Sequence, residues 1–197
     1  MQATELKARL RRSSAGPPSS DFDLNPDLRP RGLKLRDAAV LVALCDSARG
    51  TELFLTKRAS GLKHHPGQIA FPGGKVDAAD AGSVDAALRE AEEEIALPRR
   101  SVDVLGMMPA HETVTGFSVS PVLGWVRDTF EPKPETGEVD EVFTVPLSFV
   151  LDPTNYIIEA RYYRGVRRQF FTVPYGPYYI WGATARMLRA LAERLKA

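Results

Sequence analysis

Little in this 197-residue sequence is extreme, and what is scarce narrows its chemistry. Cysteine is almost missing: the single thiol, Cys45, lies in the apolar run AAVLVALCD, so an intrachain disulfide is excluded and a reducing compartment is compatible. It reads as a small buried hydrophobe. The histidines His64, His65 and His111 form no helical two-histidine motif, and with one thiol they exclude the usual zinc sites. No stretch approaches the roughly 20 apolar residues of a membrane helix, and the start lacks the apolar core of a signal peptide, so cytoplasmic residence without a membrane partner is the expectation. Charge of one sign is not in excess either. A net charge of +1 gives no field that would imply a nucleic-acid partner. The Gly74–Lys75 pair fails as a phosphate loop of the nucleotide triphosphatase kind, which needs glycine where Ile69 stands and Ser or Thr where Val76 stands. A Gly-x-Ser-x-Gly nucleophile turn is also lacking.

The remainder, 44% hydrophobic and 26% charged, suits one globular domain with a substantial core. Residues 1–36 mix Arg, Ser, Pro and Asp and read as an N-terminal arm with a short helix at Thr4 to Arg12. The basic look of KARLRR leaves three uses open: a solvated arm, a homodimer contact, or an anionic surface. From residue 37 to 197 the pattern is that of a folded domain. Two apolar runs, AAVLVALC and ELFLTKR, flank a turn at Ser47 to Gly50 and predict a hairpin. Ala59 to Gly74 reads as a loop with one extended piece at Gln68 to Phe71. A helix is expected from an N-cap at Ser83 to a stop before Pro98, with Val84, Ala87, Leu88, Ala91 and Ile95 on its inner face. Strands follow at Val102 to Pro109, Val119 to Arg127 and Val139 to Val145, then one or two helical turns after Pro146. A second hairpin joins Asn155–Tyr163 to Arg167–Val173 across Arg164 and Gly165. An amphipathic helix from Trp181 to Leu195 closes the chain. Strands interrupted by two main helices predict an α/β domain with a mixed β-sheet between helical layers.

The densest chemistry is REAEEE, Arg89 to Glu94. Glu90 and Glu94 are four apart and Glu93 is three from Glu90, so on a helix the three carboxylates project to one side. Like charges at that spacing repel by a few tenths of a kcal/mol per pair, and a cation offsets them. Hard divalent ions such as Mg²⁺ take oxygen ligands, held by a few carboxylates together with substrate phosphates. The pattern points to metal-dependent phosphate chemistry.

Gly74 and the run Arg89-Glu90-Ala91-Glu92-Glu93-Glu94-Ile95-Ala96-Leu97 resemble the Nudix hydrolase box, G-x5-E-x7-R-E-U-x-E-E-x-G-U with U aliphatic. Two positions depart from it. The interval from Gly74 to Arg89 is one residue longer and lacks the glutamate, and Ala96 replaces a glycine, at a cost of about 1 kcal/mol if that residue is left-handed. The longer interval, with Gly73, Gly74, Asp77 and Asp80, is similar to the coenzyme A diphosphatase branch. So are Leu62, His65, Gly67, Gln68, Ile69, Phe71 and Pro72 upstream. Downstream, the likeness continues through Thr113, Thr115, Gly116, Phe117, Val119, Pro121 and Val122, through Glu138, Val139, Val142, Phe143, Pro146 and Leu147, and through the run IWGATA.

The resemblance implies a Nudix fold, an α/β/α sandwich, and hydrolysis of the diphosphate of coenzyme A or its thioesters with Mg²⁺ or Mn²⁺. Glu90 and Glu94, with Glu93 assisting, become the metal ligands. Arg89 pairs with Glu93 and ties the helix to the glycine loop. Glu138 is the first candidate for general base and Glu141 the second. Lys57, Arg58, Lys63 and Lys75 are candidate phosphate contacts or solvated cations. His65 either meets phosphate or orients the loop that ends at Gly73 and Gly74, and Phe117 either packs on the substrate or belongs to the core. Two alternatives stay open: another nucleoside diphosphate derivative such as ADP-ribose or a dinucleotide, and a nucleotide-binding regulator without turnover.

Overall fold

A computed structural model describes residues 3–12, 16–163 and 165–196. In chain order the elements are α1 (Ala3–Arg12), β1 (Ser19–Ser20), β2 (Arg36–Ser47), β3 (Gly50–Arg58), β4 (Ile69–Ala70), β5 (Gly73–Lys75), α2 (Ser83–Ile95), β6 (Val102–Met107), β7 (His111–Glu112), β8 (Phe117–Val126), β9 (Val139–Pro146), α3 (Leu147–Leu151), β10 (Ile157–Tyr163), β11 (Val166–Thr172) and α4 (Gly182–Lys196). Arg164, expected in the second hairpin turn, lies outside the described residues.

Strands β1 to β9 form one mixed sheet. Antiparallel β2–β3 is the first hairpin, and β2 pairs in parallel with β8 over Arg36↔Phe117 to Leu44↔Trp125. Strand β3 also pairs with β9. A parallel central pair needs both faces covered, and both are. On one face α2 packs over Ala39, Leu41, Ala43 and Phe54. On the other, α3, α4 and Leu6 of α1 cover Leu44, Leu53, Leu55 and Leu123. The alternation along β3 makes this division: Leu53 and Leu55 face the α4 layer, Phe54 faces α2.

The arm before residue 37 is held by packing and pairing. Leu6 is fully buried, Phe22 is buried, and β1 adds in parallel to β7. His111, also fully buried, accepts or donates at Ser19 Oγ (2.9 Å) and meets Asp21 through its other ring nitrogen (3.2 Å). Burial without partners would be costly for an imidazole, so these two contacts explain its place.

Helix α2 starts differently from the expectation. Gly82, at φ 140°, is the N-cap, and Ser83 is already helical. The glycine φ supplies the reversal, and Asp85 accepts the Ala81 N–H instead (3.1 Å). At the other end Ala96 is left-handed (φ 58°, ψ 30°), with its N–H returned to Ala91 and Glu92 carbonyls. Buried Ile95 and Leu97 flank this turn and contribute about 2 kcal/mol each relative to exposure, enough to hold alanine where glycine is easier.

Candidate active site

The inner face of α2 is built from small residues: Ala86, Ala87 and Ala91 are fully buried. They let the helix lie close on β2 and β5, so that Glu90 touches the glycine turn. A Cβ on Gly74 would lie 2.6 Å from Glu90 Cδ, and one on Gly73 would lie 2.6 Å from Val40 Cα. Gly73 also sits at φ 153°, where side chains are rarely accommodated. The two glycines therefore do different work. Gly73 lets β5 pair with β2, and Gly74 makes room for a carboxylate.

Arg89 ties the helix to the loop before it. Its guanidinium donates to Asp80 through Nε (2.9 Å) and Nη2 (3.0 Å), to the Lys75 carbonyl (3.2 Å), and to Glu90 and Glu93 (3.0 Å each). The hydrogen bonds from Arg89 hold Asp80 at a pKa of about 2, and Asp80 in turn raises that of Arg89. The expected Arg89–Glu93 pair is present, but the bidentate partner is Asp80, which the sequence offered only as part of a spacing pattern.

Glu94 is the buried carboxylate of the group, 4% exposed, and accepts the Gly73 N–H at 3.0 Å. Burial pushes its pKa up to about 7, with Glu90 and Glu138 adding to the rise while Gly73 and Arg58 oppose it. Glu90 is raised as well, first by burial. Glu93 is exposed and engages Arg89.

Glu138 reaches this neighbourhood from a loop stitched to the end of α2. The carbonyls of Glu94 and Ile95, left without helical partners, accept from Glu135 (2.9 Å) and Lys133 (3.1 Å). The Glu138 carbonyl accepts from Ala59 (2.9 Å) just beyond β3. Glu138 thus belongs to the electrostatic environment of both Glu90 and Glu94, whereas Glu141 faces elsewhere. Among the described residues, no three His, Cys, Asp or Glu side chains converge closely enough to hold an ion as they stand.

On the α4 side of the sheet a cavity of about 500 Å³ opens beside the same loop. Lys57, His65, Gln68 and Glu141 line one wall, and Tyr178, Tyr179 and Trp181 the other. Lys57 pairs with Glu141 in the ladder, while Arg58, next along β3, turns to the α2 face and acts on Glu94. His65 is held at a positive φ of 56°. Tyr178 stacks on Phe143 with centroids 3.5 Å apart and donates its hydroxyl to Glu141, which pushes the phenol up to about 12. The structure therefore separates the residues singled out from sequence. Arg89, Glu90, Glu93, Glu94, Gly73, Gly74, Arg58 and Glu138 gather at the α2 end; Lys57 and His65 line the cavity. Lys63 and Lys75 are exposed. Phe117 lies across β2 under the Arg36 guanidinium, 4.1 Å away, and is not part of the cavity wall. The wall from Tyr178 to Trp181 was missed, although the run YGPYYIW was its signal.

Residues 34–165 match the NUDIX domain family. A protein of Citrobacter koseri named as an uncharacterized Nudix hydrolase, NudL, is 42% identical over 172 residues, covering 87% of this chain and 89% of its own. Its namesake in Salmonella dublin is 41% identical over the same lengths. Among solved structures, a MutT/nudix family protein from Enterococcus faecalis superposes with a TM-score of 0.53 at 16% identity, over 100% of this chain and 74% of that one, a likeness of fold.

Proposed function

The chain belongs to the Nudix family and is a hydrolase of pyrophosphate bonds, and from that premise we propose that its substrate is coenzyme A or a coenzyme A thioester. Water attacks phosphorus, the P–O–P bond breaks, and the products are 3′-phospho-AMP and 4′-phosphopantetheine or its acyl form. The observation that carries this reading is the course of one segment, Leu62 to Gly74. Its early residues, His65 to Ile69, line the cavity, and its end, Gly73 and Gly74, receives Glu94 and Glu90. A substrate with a diphosphate in the middle and a large group at its end fits a segment that serves both places.

Nudix hydrolases use divalent metal ions, and the donor set here suits Mg²⁺ or Mn²⁺: oxygens only, from Glu90 and Glu94 with Glu93 and Glu138 nearby. A buried Glu94 carboxylate with one N–H partner and two like charges in its field is the chemistry such an ion satisfies. When bound, the ion polarises phosphoryl oxygen and offsets the diphosphate charge. The protein's own groups do the rest. Arg89 fixes the helix against the loop, Arg58 and Lys57 meet phosphate from the two faces of β3, and Glu138 takes the proton of the attacking water. Glu141 is the poorer base because the Tyr178 hydroxyl already occupies it.

Incubation of the purified protein and Mg²⁺ or Mn²⁺ with coenzyme A, ADP-ribose and dinucleotides, followed by chromatography, tests the proposal. Coenzyme A is expected to give the two phosphorylated products. Intact coenzyme A beside cleaved ADP-ribose would assign a different diphosphate, and tight binding without products would make the protein a regulator.

A further inference from the structure

The cavity wall formed by Tyr179 and Trp181 continues onto the β10–β11 hairpin, a separate two-stranded sheet that Thr172 bridges to Trp181. Ladder partners share a face, so Glu159, Arg161, Phe170 and Arg168 stand on one side of the hairpin. That side faces the wall. Phe170 meets Trp181 edge-on at 5.3 Å, and Glu159 accepts the Tyr179 hydroxyl at 2.8 Å. The Arg161 guanidinium lies 5.4 Å from the Tyr179 ring, 5.7 Å from Phe170 and 5.8 Å from Trp181. Among the described residues its one side-chain hydrogen bond goes to the Tyr179 hydroxyl at 3.4 Å and no carboxylate forms an ion pair with it.

From this cluster we infer that the cavity is the seat of an adenine nucleotide end, with the base against Tyr179 and Trp181 and a phosphate on its ribose against Arg161. The inference rests on the substrate reading above and extends it to residues that reading does not use. Two features favour the nucleotide over the other end of coenzyme A at this place. Pantetheine's amide carbonyls can accept a guanidinium N–H but bring no charge to offset it, and the chain has no π-face to set against the aromatic walls. A base offers a π-face to a ring and a ribose phosphate offers bidentate oxygens to a guanidinium. Glu141, one oxygen of which is held by Tyr178, lines the same cavity and would accept from an exocyclic amine through the other.

The reach is suitable. Gln68 in the cavity wall and Gly73 at the carboxylates are five residues apart, at most about 17 Å of extended chain. A base and ribose span most of a distance of that order.

Dephospho-coenzyme A, which lacks the ribose 3′-phosphate, provides the comparison. With Arg161→Ala, kcat/KM for coenzyme A is expected to fall about tenfold or more beyond any fall for dephospho-coenzyme A, through KM rather than kcat. Independently of turnover, adenosine 3′,5′-bisphosphate should quench tryptophan fluorescence in the unaltered protein, less well in Arg161→Ala and not at all in Trp181→Phe. Equal losses on the two substrates, or quenching that survives Trp181→Phe, would overturn the inference while leaving coenzyme A hydrolysis intact. Specific quenching in a protein that does not cleave coenzyme A would keep the nucleotide seat and discard the substrate.

Discussion

Replacing Glu94 by glutamine separates what the buried carboxylate costs the fold from what it does in catalysis. In the metal-free protein its pKa is about 7, against 4.5 for an ordinary glutamate. The folded state binds this proton more tightly than the unfolded one. Stability from this group is therefore full below pH 4.5, declines as pH rises, and is lost above pH 7. A difference of that size amounts to about 3 kcal/mol, or roughly 10 °C in Tm for a chain of this length. Glutamine keeps an acceptor for the Gly73 N–H and has no charge to bury. In EDTA, scanning calorimetry should find Glu94→Gln and the unaltered protein alike at pH 4.5, with the variant up to about 10 °C more stable at pH 8. Added Mg²⁺ should narrow the pH 8 difference, because only the ionised carboxylate gains from the ion. Hydrolysis should fall about a thousandfold in kcat, as loss of several kcal/mol of charge stabilisation requires. Equal melting temperatures in EDTA at pH 8 would refute the account of burial, and full activity would refute the metal-holding role.

The two glycines should respond differently to alanine. Gly74→Ala pushes a flexible Glu90 side chain and should abolish turnover in a protein that still melts cooperatively, whereas Gly73→Ala meets Val40 backbone at a positive φ and should yield little folded protein by circular dichroism. Ala96→Gly relieves a left-handed alanine and should raise stability by about 1 kcal/mol in denaturant titration, with kcat/KM unchanged. Glu138→Gln should lower kcat about a hundredfold or more with little change in KM, while Glu141→Gln should act mainly on KM; the reverse pattern in steady-state kinetics would exchange their roles.

Much of the fold was legible because its signals are local. The β2–β3 hairpin, the α2 stripe and the C-terminal helix are written in periodicity, and each formed where expected. The errors were at places where tertiary contacts outweigh propensity. Ser83 is a favourable N-cap by type, yet Gly82 at φ 140° makes the turn, because the chain must enter the helix from a direction only glycine allows. The short strands β5 and β7 carry no pattern of their own. They exist because β2 and β8 present edges at Ala38 to Val40 and at Ser118 to Val119.

The same distinction explains the site. Arg89 to Glu94 lie on one helix, where sequence spacing is spatial spacing, so the carboxylates could be grouped from the sequence alone. The cavity has no such spacing. Its walls come from residues 57, 65 to 69, 141, 177 to 179 and 181, brought together by β3 pairing with β9 and by α4 packing beneath the sheet. Lys57 and Arg58 make the point within two residues. Adjacent in sequence, they fall on opposite faces of β3, one toward the aromatic wall and one toward Glu94. A diphosphate held between them would be gripped at the sheet's end from both layers, with bond cleavage on the α2 side and recognition of the leaving nucleotide on the α4 side. Substitutions in the aromatic wall should then redirect substrate choice without disturbing the carboxylates, since among the described residues no side-chain hydrogen bond joins the two groups directly.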